Sequence, residues 1–376
     1  TAEEGRPPLG VRSGGRAVTV TRYNSIRAAA CAIRALEATG TASQRYVVLR
    51  AVERARWRHL WCGGHPLRLL AAAVRRPFRT YVVRDTDGTV LCVAPLERQA
   101  DGWSAVAGDL DFVALDYTDF LYADRPTEVL AAAAQALARR LATDGIRRVT
   151  WPYLVDTSRT HVVFAAFPRA VAEETDNVAI VLDRAGTWED HLSRLSANAR
   201  HNLRRGAARA AADGLAVTFD LQSSCGFGAA LDTPSARRTL REARAVYLRR
   251  QARRYAHTGF RAAFYFRHLN YIPLSIPCDS GVVAVLRLGG RIAASLEGYV
   301  NFRRGTLEVP RISMDDAFAV YGPGRLLTAE CLKWMLSATG LSTLDLCRGG
   351  ERYKYDLGGT RYVTRRVTCD FGGFAA

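Results

Sequence analysis

TLEVPRISMDDAFAVYGPGRLLTAECLKWMLSATGLSTLDLC, residues 306–347, reads as strand, loop, helix, strand. Thr306–Ile312 has the short apolar run of a strand. The loop after it closes on Tyr321-Gly322-Pro323-Gly324-Arg325. From Arg325 to Ala338, Leu327, Cys331, Trp334 and Met335 recur on one helical face, and Gly340 stops the helix. Ser342–Cys347 is the next strand. The glycines let the backbone approach a ligand, and the free N–H groups of a first helical turn point at an anion. Arg325 adds a fixed positive charge. Tyr321, Gly322, Gly324 and Arg325, with Arg348 past the following strand, therefore form a candidate cradle for a pyrophosphate or a terminal phosphate.

Upstream, Val282–Leu288 and Arg291–Val300 flank Gly289-Gly290 as a hairpin. The first half of the chain repeats this order. Thr80–Val83 and Thr89–Pro95 meet around Asp87-Gly88, and a strand follows near Trp103–Ala107. After the loop Asp116-Tyr117-Thr118-Asp119, a helix over Thr127–Ala142 carries Leu130, Ala134, Leu137 and Leu141 and stops at Asp144-Gly145. The strand Ile146–Trp151 completes the unit. Two copies of one topology are more economical than one irregular domain. The expectation is an α/β protein of α+β type with mixed sheets, built as two tandem domains. Residues 1–20 form a flexible lead-in, 21–180 the first domain and 181–376 the second, donor-binding domain. Helices are expected over Ala28–Gly40 and over Tyr46–Leu70, the latter presenting Trp57, Leu60 and Trp61.

The composition is that of a soluble globular chain, with 48% hydrophobic and 24% charged residues. No run approaches the roughly 20 apolar residues of a membrane span, and no signal-peptide pattern opens the sequence. These features predict a cytoplasmic protein with no membrane partner. Eight cysteines form no CxxC pair, so no metal site and no disulfide framework is expected, and most should be small buried hydrophobes. Lys and Arg outnumber Asp and Glu by 53 to 36, a net charge of +17. Lys333 and Lys354 are the only lysines, which looks like the codon bias of a GC-rich genome, but such a bias exchanges one cation for another and creates no surplus. The surplus points to a polyanionic partner.

It is concentrated in two helices. Thr187-Trp188-Glu189-Asp190 opens the first, over 188–212, with capping-box spacing. Arg200, Arg204, Arg205 and Arg209 then follow with no acid between His191 and Ala212. The second, 235–256, carries Arg249, Arg250 and Arg253 among its arginines, interleaved with Tyr247 and Tyr255. Both are candidate contacts for tRNA or other phosphates, and a solvated helix face is the plain alternative.

Lys354, in Gly350-Glu351-Arg352-Tyr353-Lys354, stands out in a chain that writes its cations as arginine. An ammonium there could steady a developing oxyanion or grip a phosphate, unless it only snorkels over Tyr353. Glu297 lies in an otherwise apolar strand, where burial would raise its pKa toward that of a useful base; pairing with an arginine is the equal alternative. Glu308, Asp315 and Asp316 are further carboxylates near the same sheet. GxSxG, Walker A, HExxH and GxGxxG patterns are absent from the sequence.

Four motifs resemble, in order and spacing, those of the double acetyltransferase-fold (GNAT) superfamily, the CelD-like N-acyltransferases and FemAB-type aminoacyltransferases. They are Asp116-Tyr117-Thr118-Asp119-Phe120-Leu121, the basic helix Leu195–Arg205, Pro323-Gly324-Arg325-Leu326-Leu327, and Gly350–Lys354. The resemblance runs from about Trp57 to the C-terminus. It implies direct transfer of an acyl or aminoacyl group to an amine, without a covalent enzyme intermediate, in a cleft between two GNAT-like domains. It makes Lys354 the candidate beside the acyl donor, with Tyr353 and Glu297 as further catalytic candidates. Asp116, Tyr117 and Asp119 are then candidates for acceptor binding. Phe227–Cys278 and the N-terminal helices match none of the motifs. The charge favours aminoacyl-tRNA as co-substrate, with no tightly bound cofactor, and amide bond formation on a small molecule or peptide, as in antibiotic biosynthesis. An acyl-CoA donor needs only local charge and is the alternative. A non-catalytic nucleic-acid-binding protein would explain the charge but not the glycine turn.

Overall fold

The computed structural model describes residues 9–13, 16–41, 44–46, 48–50, 52–53, 78–99, 102–106, 117–254 and 280–374. The chain forms two units, residues 1–175 with 363–376, and residues 176–362.

In the first unit, β1 (Leu9–Ser13) and β2 (Arg16–Tyr23) form an antiparallel hairpin. These strands correct the expected flexible lead-in over 1–20. The Pro and Gly content suggested a loop, but Val18 and Val20 alternate inward and β2 pairs β3 (Phe78–Arg84). A 3-10 turn, α1 (Ala30–Leu36) and a second 3-10 turn fill the first predicted helix. Most of the second, with Trp57, Leu60 and Trp61, lies outside the described residues. β3 and β4 (Val90–Gln99) form the hairpin expected at Asp87-Gly88. β5 (Gly102–Ala105), β6 (Leu121–Tyr122), α2 (Thr127–Thr143), β7 (Arg148–Val155) and α3 (Arg159–Val163) follow.

Apolar residues cover both faces of β3 and β4, because helices pack on each. Tyr81, Val83 and Ala94 sit in the same core as Leu130, Leu137 and Leu141 of α2. Phe78, Val82 and Val93 pack with Ile33 of α1. Asp144, at the end of α2, does more than stop the helix. Its buried Oδ2 accepts hydrogen bonds from the Tyr81 hydroxyl (2.9 Å) and Arg140 Nε (3.3 Å), and Arg22 Nη1 lies 3.3 Å away.

β8 (Arg169–Val181) carries the chain into the second unit. There α4 (Trp188–Arg194) and α5 (Ala197–Ala212) occupy the span read as one basic helix. Thr187 and Asp190 form the expected capping box, and Ser196 caps α5 separately by accepting from Ala199 N. β9 (Val217–Ser223), β10 (Ala229–Ala230), α6 (Pro234–Arg254), β11 (Gly281–Leu288), β12 (Arg291–Asn301) and β13 (Thr306–Met314) follow. After a 3-10 helix, Asp316–Tyr321, come α7 (Pro323–Ala338), β14 (Thr343–Arg348) and α8 (Arg352–Asp356). The strand order in this unit is β8-β14-β13-β12-β11-β9-β10. Leu296, Leu307 and Leu344 face Leu327, Leu332 and Met335 of α7 in one core, while α6 covers the opposite face.

β15 (Thr360–Asp370) returns the chain to the first unit, where Thr364–Asp370 pairs antiparallel with β7. The sequence reading placed 181–376 together in one domain. Val367, Cys369 and Phe371 instead belong to the first core, with the Phe371 ring 5.4 Å from that of Phe167. No helix among the described residues is long and apolar enough to cross a membrane. Cys92, Cys331, Cys347 and Cys369 are buried as expected, but Cys31 is exposed; Cys62 and Cys278 lie outside the described residues.

Candidate active site

β13 and β14 run parallel but pair only where Thr306–Glu308 meets Thr343–Asp345. β13 continues to Met314 and β14 to Arg348, and α7 connects them. The glycine turn that opens α7 is firmly held. Asp315 Oδ1 accepts from Ala317 N at 3.1 Å and starts the 3-10 helix, and Gly322 then adopts the left-handed conformation (φ 62°) that a side chain disfavours. From behind, α5 presses on the turn: a Cβ on Gly206 would lie 2.4 Å from the Tyr321 carbonyl oxygen. Arg209 Nη1 donates to Val320 O (3.4 Å), and the Tyr321 hydroxyl donates to Asp213 Oδ2 (2.6 Å). That bond raises the Tyr321 pKa and turns its hydroxyl away from any donor role.

At Gly324 a Cβ would meet only Ile312 Cγ2, at 4.0 Å, so packing does not demand glycine there; an approachable backbone is what its absence of a side chain supplies. Arg325 is half-buried. Its Nε has no partner among the described residues, and its Nη2 is 3.9 Å from Asp356 Oδ2. Arg348 closes β14 opposite Asn177.

Lys354 departs from the sequence expectation. Its ammonium is 3% exposed and lies among the carbonyl oxygens of Leu346 (3.0 Å), Cys347 (3.4 Å), Arg348 (2.8 Å) and Gly349 (2.8 Å), with Glu351 Oε2 at 3.0 Å. Cys347 (φ 54°) and Gly349 (φ 101°) turn the 346–349 backbone around it. An ammonium has three N–H donors. All are used within the chain, so Lys354 holds this loop and offers nothing to a donor phosphate or an oxyanion. Tyr353 is half-buried against the same core, and burial pushes its hydroxyl pKa up, away from proton transfer.

Glu297 matches its expectation in part. It is 1% exposed on β12, opposite Arg311 on β13, just past the point where β13 parts from β14. Arg311 Nη1 reaches its Oε2 at 3.4 Å while the guanidinium lies over the Tyr247 ring, 4.5 Å from the centroid. Burial raises the Glu297 pKa and Arg311 opposes the shift. Asp315 and Asp316 pair with Arg249 (3.2 Å) and Arg253 (2.9 Å). Both arginines stay largely exposed, so these surface pairs compete with the expected phosphate contact without excluding it. Arg200 Nη1 donates to Leu195 O (2.6 Å) and so caps the end of α4. Arg250 is half-buried near Tyr353. Arg204 and Arg205 are exposed and have no ion pair among the described residues.

In the first unit, Asp116 lies outside the described residues and Tyr117 is buried. Asp119 accepts from Ser158 Oγ and Thr160 Oγ1, both at 2.5 Å, and so anchors α3. Its carboxylate is a structural tie, which removes the expected acceptor contact. Sequence reasoning missed Ser295, Arg311 and Tyr247 around Glu297. The signal was present: Ser295, Glu297 and Tyr299 alternate with apolar Ala294 and Leu296.

The model of the acetyltransferase (GNAT) domain matches residues 197–355, from the start of α5 into α8. This segment is a GNAT domain. The chain thus carries a GNAT acyltransferase domain, which contains both the glycine turn and Glu297. No curated protein sequence matches the chain. A conserved protein of unknown function from Bacteroides thetaiotaomicron shares the fold over 93% of this chain and 99% of its own, at 11% identity and a TM-score of 0.52. The C-terminal domain of a putative lysylphosphatidylglycerol synthetase from Agrobacterium fabrum (14% identity, 79% of this chain and 86% of that one) has a TM-score of 0.48. FemX (9% identity, 77% and 87%) has one of 0.49.

Proposed function

We propose that this acyltransferase takes an amino acid from an aminoacyl-tRNA and joins it to an amine on a small molecule or peptide, in natural-product biosynthesis. The observation that carries the donor is the surface of α5. Gly206 of that helix backs the glycine turn, Arg209 lies one turn further on, and Arg204 and Arg205 are exposed without ion pairs among the described residues. With a net charge of +17, this supports a phosphate track continuous with the donor turn. The turn at Gly322–Arg325 would hold the terminal phosphate, while Lys354 maintains the adjoining loop.

Glu297 would accept the proton. The acceptor's ammonium gives one proton to its carboxylate, the nitrogen bonds to the acyl carbon, and the C–O bond of the aminoacyl ester breaks. The released ribose oxygen takes a second proton, leaving a neutral amide and a protonated Glu297, which then loses its proton to water.

An acyl-CoA donor is the second reading, favoured by one observation: Arg249 and Arg253 are neutralised by Asp315 and Asp316, which narrows the free basic surface. Titrating bulk tRNA and acetyl-CoA at two salt concentrations decides between them. Tight tRNA binding with a steep salt slope, reduced by about two in Arg204→Gln/Arg205→Gln, is expected. Stoichiometric acetyl-CoA binding with only weak tRNA contact would reject the tRNA donor.

A further inference from the structure

The sheet of the second unit has two faces of opposite character. Where Leu296, Leu307 and Leu344 look toward α7, the neighbouring residues Glu297, Glu308 and Asp345 look the other way, toward the face covered by α6. Carboxylates on three adjacent strands are conspicuous in a chain of net charge +17. Register fixes their relation: Glu308 stands opposite Asp345, and Glu297 opposite Arg311 on one side and Val283 on the other.

The decisive feature is a group of buried oxygens that the chain leaves without partners. Arg311 reaches one oxygen of Glu297 at 3.4 Å, and its guanidinium is shared with the Tyr247 ring. Glu297 Oε1 is buried and has no hydrogen-bond partner among the described residues. The same holds for Ser295 Oγ, two residues along the same face of β12, and for Gln222 Oε1. Gln222 sits opposite Val283, which in turn sits opposite Glu297, so Gln222 and Glu297 are two strand spacings apart, about 10 Å. Ser295 and Glu297 are 1% exposed and Gln222 is 7% exposed. Each of these atoms can accept a hydrogen bond, and one carries negative charge. Their chemical complement is a cation rich in N–H donors, which is what an alkylammonium supplies and an anion or an ether does not.

We propose that the acceptor of this enzyme binds under α6 as its ammonium, held by Glu297 Oε1, Ser295 Oγ and Gln222 Oε1, so that the substrate class is a cationic alkylamine or short diamine. This rests on the acyl-transfer reading for its meaning but is tested without any acyl donor. The whole protein is titrated calorimetrically with putrescine, with butanediol as the neutral counterpart of the same skeleton, and with γ-aminobutyrate, which carries an anionic end. Putrescine is expected to bind saturably although the net charge of the protein repels cations, and butanediol not at all. Glu297→Gln should weaken putrescine at least about tenfold, because it removes a charged hydrogen bond. Ser295→Ala, which is less disruptive, should weaken it several-fold. Circular dichroism confirms that each variant is folded, and Ser295→Ala decides the matter where Glu297→Gln is not. Absence of putrescine binding to the wild-type protein, equal binding of butanediol, or unchanged affinity in the folded variants would overturn the proposal. Putrescine binding without transfer from any donor would leave the cation site standing and reject the transfer reading. Transfer confined to neutral or anionic acceptors would reject the cation site alone.

Discussion

Replacing Lys354 by methionine keeps the volume of the side chain and deletes its ammonium. Four backbone carbonyls, those of residues 346–349, and Glu351 then lose this ammonium, with the Leu346–Gly349 backbone still turned inward by the positive φ of Cys347 and Gly349. A hydrogen bond from a charged donor contributes about 1.5–3 kcal/mol, and a buried acceptor left alone costs about 1–3 kcal/mol. These contributions overlap, and the carbonyl end nearest the surface regains water, so the net loss is about 3–5 kcal/mol, the range for breaking a buried charge interaction. For a unit of this size each kcal/mol moves the melting temperature by about 2–4 °C, giving a fall of about 6–20 °C. Urea and thermal denaturation measure it directly, and hydrogen exchange should show the 346–351 amides losing protection first. A Lys354→Met protein with wild-type stability and protection, whose transfer rate alone is lost, would refute the argument and return Lys354 to the chemistry.

Two further outcomes follow from the same geometry. Gly206→Ala places a methyl group 2.4 Å from the Tyr321 carbonyl oxygen, so the turn must shift; a loss of about 1–3 kcal/mol in thermal melts is expected, with weaker donor binding by titration, and a variant as stable and as tight as wild type would show that α5 does not position the turn. Burial raises the Glu297 pKa above that of the unfolded chain, so the folded state binds the proton more tightly. Its contribution to stability is complete below the ordinary carboxylate range and is lost as pH rises through the raised value. Wild-type melting temperature should therefore decline across that window relative to Glu297→Gln, and parallel profiles would contradict the burial effect.

Much of the fold was legible because local signals agreed with tertiary ones. Gly289-Gly290 and Asp87-Gly88 marked hairpins, and Leu327, Cys331 and Met335 marked the buried stripe of α7. β1 and β2 escaped because Pro7, Pro8 and Gly10 outweighed a short alternation at Val18 and Val20, whose value becomes apparent only against β3. Chain order hid the destination of β15, since nothing in Val363–Asp370 says which of the two units it joins. At the candidate site, the turn before α7 and the burial of Glu297 were legible from local pattern. Lys354 could not be read correctly: its rarity marked it as special, but only the carbonyls gathered around its ammonium show what it is for. The ties of Asp119 to Ser158 and Thr160, and of Arg249 and Arg253 to Asp315 and Asp316, were hidden for the same reason. A charge in a sequence does not reveal whether the fold has already answered it.

The return of β15 to β7 reverses the order in which the halves of the molecule can mature. Arg148 and Asp370 are 222 residues apart in the chain, yet their side chains meet at 2.9 Å. Residues 176–362 are contiguous and can complete their sheet as soon as they have left the ribosome. The first unit, although translated earlier, keeps a strand edge and an aromatic core around Phe164 and Phe167 exposed until β15 and Phe371 arrive. During synthesis that open edge is the segment most prone to pairing with another nascent chain. The half that is made first is finished last.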